Sequence, residues 1–202
     1  MNLELVKKYF SPSSILDIGA HVGEFYTLAK SSFPNAKIIS VEAEPSCLTE
    51  LLSVNPNSII ALLAKDNEIY NWYKTTENSI CTGNSIYKEI SDHFSNEKLV
   101  VEKRIGVKLS DLFKHSQFDL IKLDTQGSEL DIIQGGLDIS KAAKGFIIET
   151  SINRYNEGAP LYEQVIEFMN NIGFEQKEEI DIFHYGNIFQ KDILFIKKGL
   201  NS

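Results

Sequence analysis

The 202-residue chain contains no run of 18 apolar residues, so no membrane-spanning helix is expected. Its opening, MNLELVKKYF, lacks the apolar centre of a secretory signal. Cysteine is scarce. Cys47 and Cys81 are too few for a disulfide framework or a zinc cluster, and both are expected as reduced thiols. These absences point to a cytoplasmic setting. Positive charge is also in short supply: 20 basic side chains face 28 acidic ones, for a net charge of −8. Lys7-Lys8 and Lys197-Lys198 are short basic spots only. A phosphate-coated partner would be repelled, so nucleic acid is not expected as a partner. Repeats and low-complexity linkers are absent. The length suits one domain over 1–202, with an irregular insertion around 67–98.

What is present is alternation. Apolar strands are expected at 14–19, 37–43, 58–64, 99–109, 118–124 and 145–151, with an added strand or hairpin arm at 68–75. Between them, helices are expected at 23–32, 46–53, 128–136 and 160–173, with Gly135 and Gly136 stopping the third. Two strands at 174–184 and 192–198 are separated only by a loop and should pair antiparallel. Apolar strands alternating with helices imply a doubly wound α/β fold with a mostly parallel sheet. An antiparallel C-terminal strand slotted into a seven-stranded sheet resembles the class I methyltransferases that use S-adenosylmethionine.

The stretch ILDIGAHVGEF, residues 15–25, places Asp17 inside a buried strand and Gly19 and Gly23 just after it. Ligands of open α/β sheets sit beyond the carboxyl ends of strands, where strand order reverses. At Gly19 a Cβ would keep a ligand off the backbone, and Gly23 would let the helix start close to the sheet. Asp17 is costly to bury unpaired, and the amino group of a methionine moiety would be a fitting partner. The dinucleotide fingerprint G-x-G-x-x-G is not met, since Ala20 and His21 lie within a Gly-x-x-x-Gly pattern. Glu42 closes the second strand 23 positions after Gly19, where a carboxylate can accept both ribose hydroxyls. Glu44 is the more natural partner for the following helix dipole. An adenine edge is expected near Ala64-Lys65-Asp66.

The segment FDLIKLDTQGSELDIIQGG (118–136) resembles the FkbM family of S-adenosylmethionine-dependent methyltransferases, through Lys122, Asp124, Gln126, Gly127, Glu129 and Gly135. LDIGAHVGEF and VEAEP are similar to its cofactor segments, TGNSIY to its middle segment and IIETS to its later strand. The resemblance spans about residues 13–175. It implies S-adenosylmethionine held by Asp17, Gly19, Ala20, His21, Gly23, Glu42, Ala43 and Lys65, and methyl transfer to a hydroxyl of a sugar, glycoconjugate or natural product. His21 stands where many members have Asn, and Gln126 where many have Glu. The usual N-terminal extension is nearly absent, which raises a homo-oligomer or a partner subunit as expectations.

An acceptor alcohol becomes a nucleophile only as its proton leaves. Asp124 ends the strand at 118–124 and Glu149 lies near the end of the next, and neighbouring strands run about 4.8 Å apart. Three readings stay open. Asp124 is the general base, with Glu129 or Lys122 orienting the acceptor. Alternatively, Asp124 and Glu149 hold a Mg²⁺ that activates it. In the third, Asp124 caps the turn before Gly127 and Glu149 pairs with Lys122 or Arg154. Tyr70, Trp72 and Tyr73 form either a flap on the sheet or a sugar-stacking platform. A non-catalytic cofactor-binding subunit is the competing function.

Overall fold

The computed structural model describes residues 1–75, 82–90, 99–186 and 188–200. Cys81 and the start of the polar stretch at 77–89 lie outside the described residues. The first half runs α1 (Glu4–Lys7), β1 (Ser14–Ile18), α2 (Glu24–Ser32), β2 (Lys37–Glu42), a 3-10 turn (Pro45–Cys47), α3 (Leu48–Val54), β3 (Ser58–Ile60), β4 (Leu62–Ala64) and β5 (Ile69–Thr75). The second runs β6 (Leu99–Lys108), α4 (Leu109–Leu112), β7 (Leu120–Leu123), α5 (Glu129–Gly135), α6 (Leu137–Ala142), β8 (Gly145–Ser151), α7 (Tyr162–Asn171), β9 (Phe174–Tyr185) and β10 (Ile188–Lys197).

Seven strands form the main sheet in the order β3-β2-β1-β7-β8-β10-β9. The first five pair in parallel, and β10 runs antiparallel to both β8 and β9. This is the architecture expected from the sequence. The chain winds outward from β1 in one direction and from β7 in the other. The β1–β7 boundary is therefore the switch point, where a crevice opens beyond the strand ends.

The strand expected at 58–64 is two strands in two sheets. At Ala61 the N–H turns to the Glu42 carbonyl, 2.9 Å away. β3 stays on the edge of the main sheet, while β4 joins a three-stranded sheet ordered β4-β6-β5. The irregular insertion is thus regular in part, because β5 pairs with β6 along its whole length, from Ile69↔Ile105 to Thr75↔Leu99. The helix expected to stop at Gly135-Gly136 does so, with Gly136 as the cap of α5. Gly135 belongs to α5, and a Cβ there would lie 2.3 Å from the Ala64 carbonyl oxygen. The glycine lets α5 touch β4, and a further short helix, α6, follows.

Period-two alternation splits the core between the two faces of the main sheet. On one face, Leu16, Ile18, Ile121, Leu123, Phe146, Ile148, Ile193 and Phe195 pack with α4 to α7. On the other, Ile15, Ile38, Leu120, Ile147, Leu194 and Ile196 pack with α1 and α2 through Leu3, Val6, Phe25 and Ala29. Asp17, Lys122, Glu149 and Asp192 each stand two residues from a member of the second set, so all four share its face. Strand register aligns them: Ser40, Asp17 and Lys122 form one row, and Glu149, Asp192 and Asp181 another.

Candidate active site

The turn after β1 is tied to β2. The N–H groups of Gly19 and Ala20 both donate to the Val41 carbonyl, at 2.9 and 3.1 Å. Gly19 has φ +78, and a Cβ on it would lie 1.8 Å from the Asp124 carbonyl oxygen. The end of β7 thus demands the glycine, and Gly19 also lines the cavity described next. Gly23 opens α2, but a Cβ there would meet Val54 and Leu51 of α3 at 3.3–3.4 Å, not the sheet.

Glu42 is held by the backbone on both oxygens. His21 N–H donates to Oε2 at 2.8 Å and Glu44 N–H to Oε1 at 2.7 Å. Each oxygen keeps a second lone pair for an incoming hydroxyl. Glu44 caps the 3-10 turn by accepting from Ser46 N–H, the helix-end role expected for it. Glu42 lines a cavity of about 90 Å³, together with Gly19, His21, Ala43, Trp72 and Asn84.

Three expected ligand contacts lie elsewhere. Asp17 is 0% exposed and lines none of the described cavities. Burial pushes its carboxyl up to about 6, against the pull of the Lys122 ammonium and the Ser40 hydroxyl. Ser40 donates to its Oδ2 at 3.2 Å, and Oδ1 has no partner. Asp17 is therefore sealed beneath the site. Ala20 lines a neighbouring hollow with Lys122 and Asp124. Lys65 is exposed and lines no described cavity; Ala61, Leu62 and Leu63 form that wall instead.

Asp124 lies just past β7, where it lines both the first cavity and a second of about 520 Å³. Lys122 Nζ donates to its Oδ2 at 3.0 Å. Burial alone would lower the Lys122 ammonium, but Asp124 and Asp17 hold it raised and charged. Gln126 Nε2 donates to Asp124 Oδ1 at 3.2 Å and to Glu149 Oε2 at 3.0 Å. Tyr155 donates to Gln126 Oε1 at 2.6 Å and in turn accepts from Gln190. Lys122 thus positions Asp124, not the acceptor.

Glu149 has Gln126 as its partner, not Lys122 or Arg154. Burial, then the neighbouring Asp124, raises its carboxyl well above the usual range. The Gln126 amide stands between the two carboxylates that were expected to share Mg²⁺, with N–H groups pointing at both. An amide donor cannot coordinate a cation, and the described residues contain no metal-holding group of three acidic, His or Cys side chains. The donor set does not fit the metal. Glu129 is also reassigned. Its Oε1 accepts from Thr125 N–H at 2.8 Å, Thr125 O–H at 3.1 Å and Gly127 N–H at 3.1 Å. It clamps the turn in which Gln126 takes φ +56 and Gly127 φ +104, and it does not reach an acceptor.

Residues 17–175 match the Methyltransferase FkbM domain. The chain belongs to the FkbM methyltransferase family. Its sheet order agrees with the fold of solved methyltransferases. The FkbM methyltransferase of Methylobacillus flagellatus KT superposes with a TM-score of 0.54 at 13% identity, over 92% of this chain and 44% of that one. The chain therefore spans less than half of that relative. Magnesium protoporphyrin IX methyltransferase of Synechocystis PCC 6803, solved with bound S-adenosylmethionine, gives 0.54 at 10%, over 96% and 75%. The fibrillarin pre-rRNA processing protein of Methanococcus jannaschii gives 0.56 at 15%, over 94% and 68%. At such identities the likeness shows the fold alone. No curated protein matches the sequence.

Several residues that build this FkbM site were not singled out for it from sequence. Trp72 is 4% exposed, points its Nε1 to Glu44 and carries Arg104 over its ring at 5.1 Å. It is a wall of the first cavity, not an open platform for sugar. Asn84 donates to the same Glu44 carboxylate at 3.4 Å. Asp192 lines the second cavity from β10. Its signal was available: DILFIKK sets a carboxylate at the head of an apolar strand, as ILDIG does around Asp17.

Proposed function

We propose that the chain transfers a methyl group from S-adenosylmethionine to a hydroxyl of a small-molecule or carbohydrate acceptor. The observation that carries this is the position of Asp124, in the wall shared by the two cavities. S-adenosylmethionine, when bound, supplies a methyl carbon on a sulfonium that needs no further activation. Glu42 and the turn at Gly19 to His21 would hold its nucleoside part in the first cavity. Asp124, steadied by Lys122 and Gln126, takes the acceptor's proton as the oxygen forms its bond to the methyl carbon. The carbon–sulfur electron pair stays on sulfur, leaving a neutral thioether. Alignment across the shared wall supplies the rest of the acceleration.

The reading goes with a cytoplasmic setting and with no nucleic-acid partner, since carboxylates line the second cavity. Asp124→Asn tests it. The variant should bind S-adenosylhomocysteine as the wild type does, while methyl transfer falls by about 100-fold or more, the scale of a lost general base. Full turnover in the variant would remove Asp124 from the chemistry.

A further inference from the structure

We infer that the second cavity takes an acceptor carrying a positive charge close to its reacting hydroxyl, such as an amino sugar or other hydroxy-amine, in preference to a neutral or phosphorylated one. This rests on the proposed function, which makes that cavity the acceptor site because it opens on Asp124. Its lining is lopsided in charge. Glu89, Asp124, Glu149, Asp181 and Asp192 all contribute to the wall, against Lys191 as the one lining cation among the described residues. Lys191 is already engaged: its Nζ lies 2.8 Å from Glu179 and 5.9 Å from the Tyr162 ring centre. Lys122 lies behind the wall, bonded to Asp124.

A separate observation marks an unmet contact. Asp192 has a buried Oδ1 with no hydrogen-bond partner. It stands directly across from Glu149 on β8 and from Asp181 on β9. Of the three carboxylates in this row, Asp181 is answered by the N-terminal ammonium of Met1, which leaves Glu149 and Asp192 facing each other with like charge. Burial and Asp124 push Asp192 up to about 7, and the same two causes raise Glu149 well above its usual range. An ammonium group between them would let both ionise and would satisfy Oδ1. A phosphate would meet only like charge. Ile182 and Phe183, about half exposed on the rim, offer apolar contact to the remainder of such an acceptor.

The test uses calorimetry on the full chain. S-adenosylhomocysteine is titrated first. The loaded protein then receives methyl glucosaminide, methyl glucoside, methyl N-acetylglucosaminide or glucose 6-phosphate. The ammonium sugar should bind on the order of tenfold or more tightly than the glucoside, the worth of one charged hydrogen bond. The phosphate should not bind measurably. Asp192→Asn and, independently, the more exposed Asp181→Asn should each shrink the ratio between the ammonium sugar and the glucoside. Equal binding of the charged and neutral sugars, or an unchanged ratio in both variants, overturns the inference and leaves the proposed function standing. Failure of S-adenosylhomocysteine to bind takes down both.

Discussion

Asp17→Asn should stabilise the protein at neutral pH and leave it equally or somewhat less stable than wild type near pH 4. Asp17 is fully buried, and its carboxyl rises from 3.8 to about 6 on folding. Between those values the folded state keeps a proton that the unfolded chain has released. Stability from the protonated form is complete below 3.8 and is lost as pH rises through about 6. At ~1.4 kcal/mol per pK unit, the ionised acid above pH 6 costs about 3 kcal/mol. Asparagine mimics the protonated form and can still accept from Ser40. Its amide N–H groups lack an evident acceptor, which trims the gain to about 1–3 kcal/mol. Urea unfolding followed by circular dichroism at pH 4, 6 and 8 measures the difference directly. A variant equally displaced from wild type at pH 4 and pH 8 would refute the assignment, as would one less stable at pH 8.

Glu42→Ala removes the acceptor for ribose hydroxyls and strands the N–H groups of His21 and Glu44, so calorimetry should show S-adenosylhomocysteine binding weaker by about 100-fold or more. Unchanged affinity would place the nucleoside elsewhere. Gly19→Ala adds a Cβ 1.8 Å from the Asp124 carbonyl oxygen at φ +78, so the turn must shift. A loss of about 3 kcal/mol or more in urea unfolding is expected, and a wild-type midpoint would contradict the packing. Gln126→Glu replaces the amide donor between Asp124 and Glu149 with a third carboxylate. The variant should gain thermal stability on adding Mg²⁺ or Mn²⁺ while the wild type does not. An equal rise in the wild type would restore the metal reading.

The fold was readable because its signals are local. Each parallel strand is a short apolar run, and Pro160 and Gly173 bracket the helix that became α7. What escaped depends on chain segments meeting at a distance. Nothing in ALLA marks a change of sheet at Ala61; the change follows from pairing with β6, more than 40 positions on. Likewise Gly135 reads as a helix stop by its neighbours in sequence, yet its neighbour in space is Ala64. Glu129 reads as a free carboxylate beside Asp124, and only the positive φ values at Gln126 and Gly127 bring three donors onto it.

The site's charges follow one rule that sequence shows only piecemeal. A strand buried on both faces must hide every side chain, so a charge is tolerated only where a neighbouring strand answers it in register. Lys122 meets that demand for Asp17 across β1 and β7, and through its own strand end for Asp124. On the far side of β8, among the described residues, no cation stands in register with Glu149 and Asp192, and only Lys122 and, for Asp192, the Met1 ammonium reach them from farther off. That imbalance exists only because β10 enters the sheet between β8 and β9. Placed outermost, β10 would leave β9 beside β8, and Asp192 would no longer face Glu149. The antiparallel insertion that identifies the fold class therefore also builds the acidic wall, and with it the choice of acceptor.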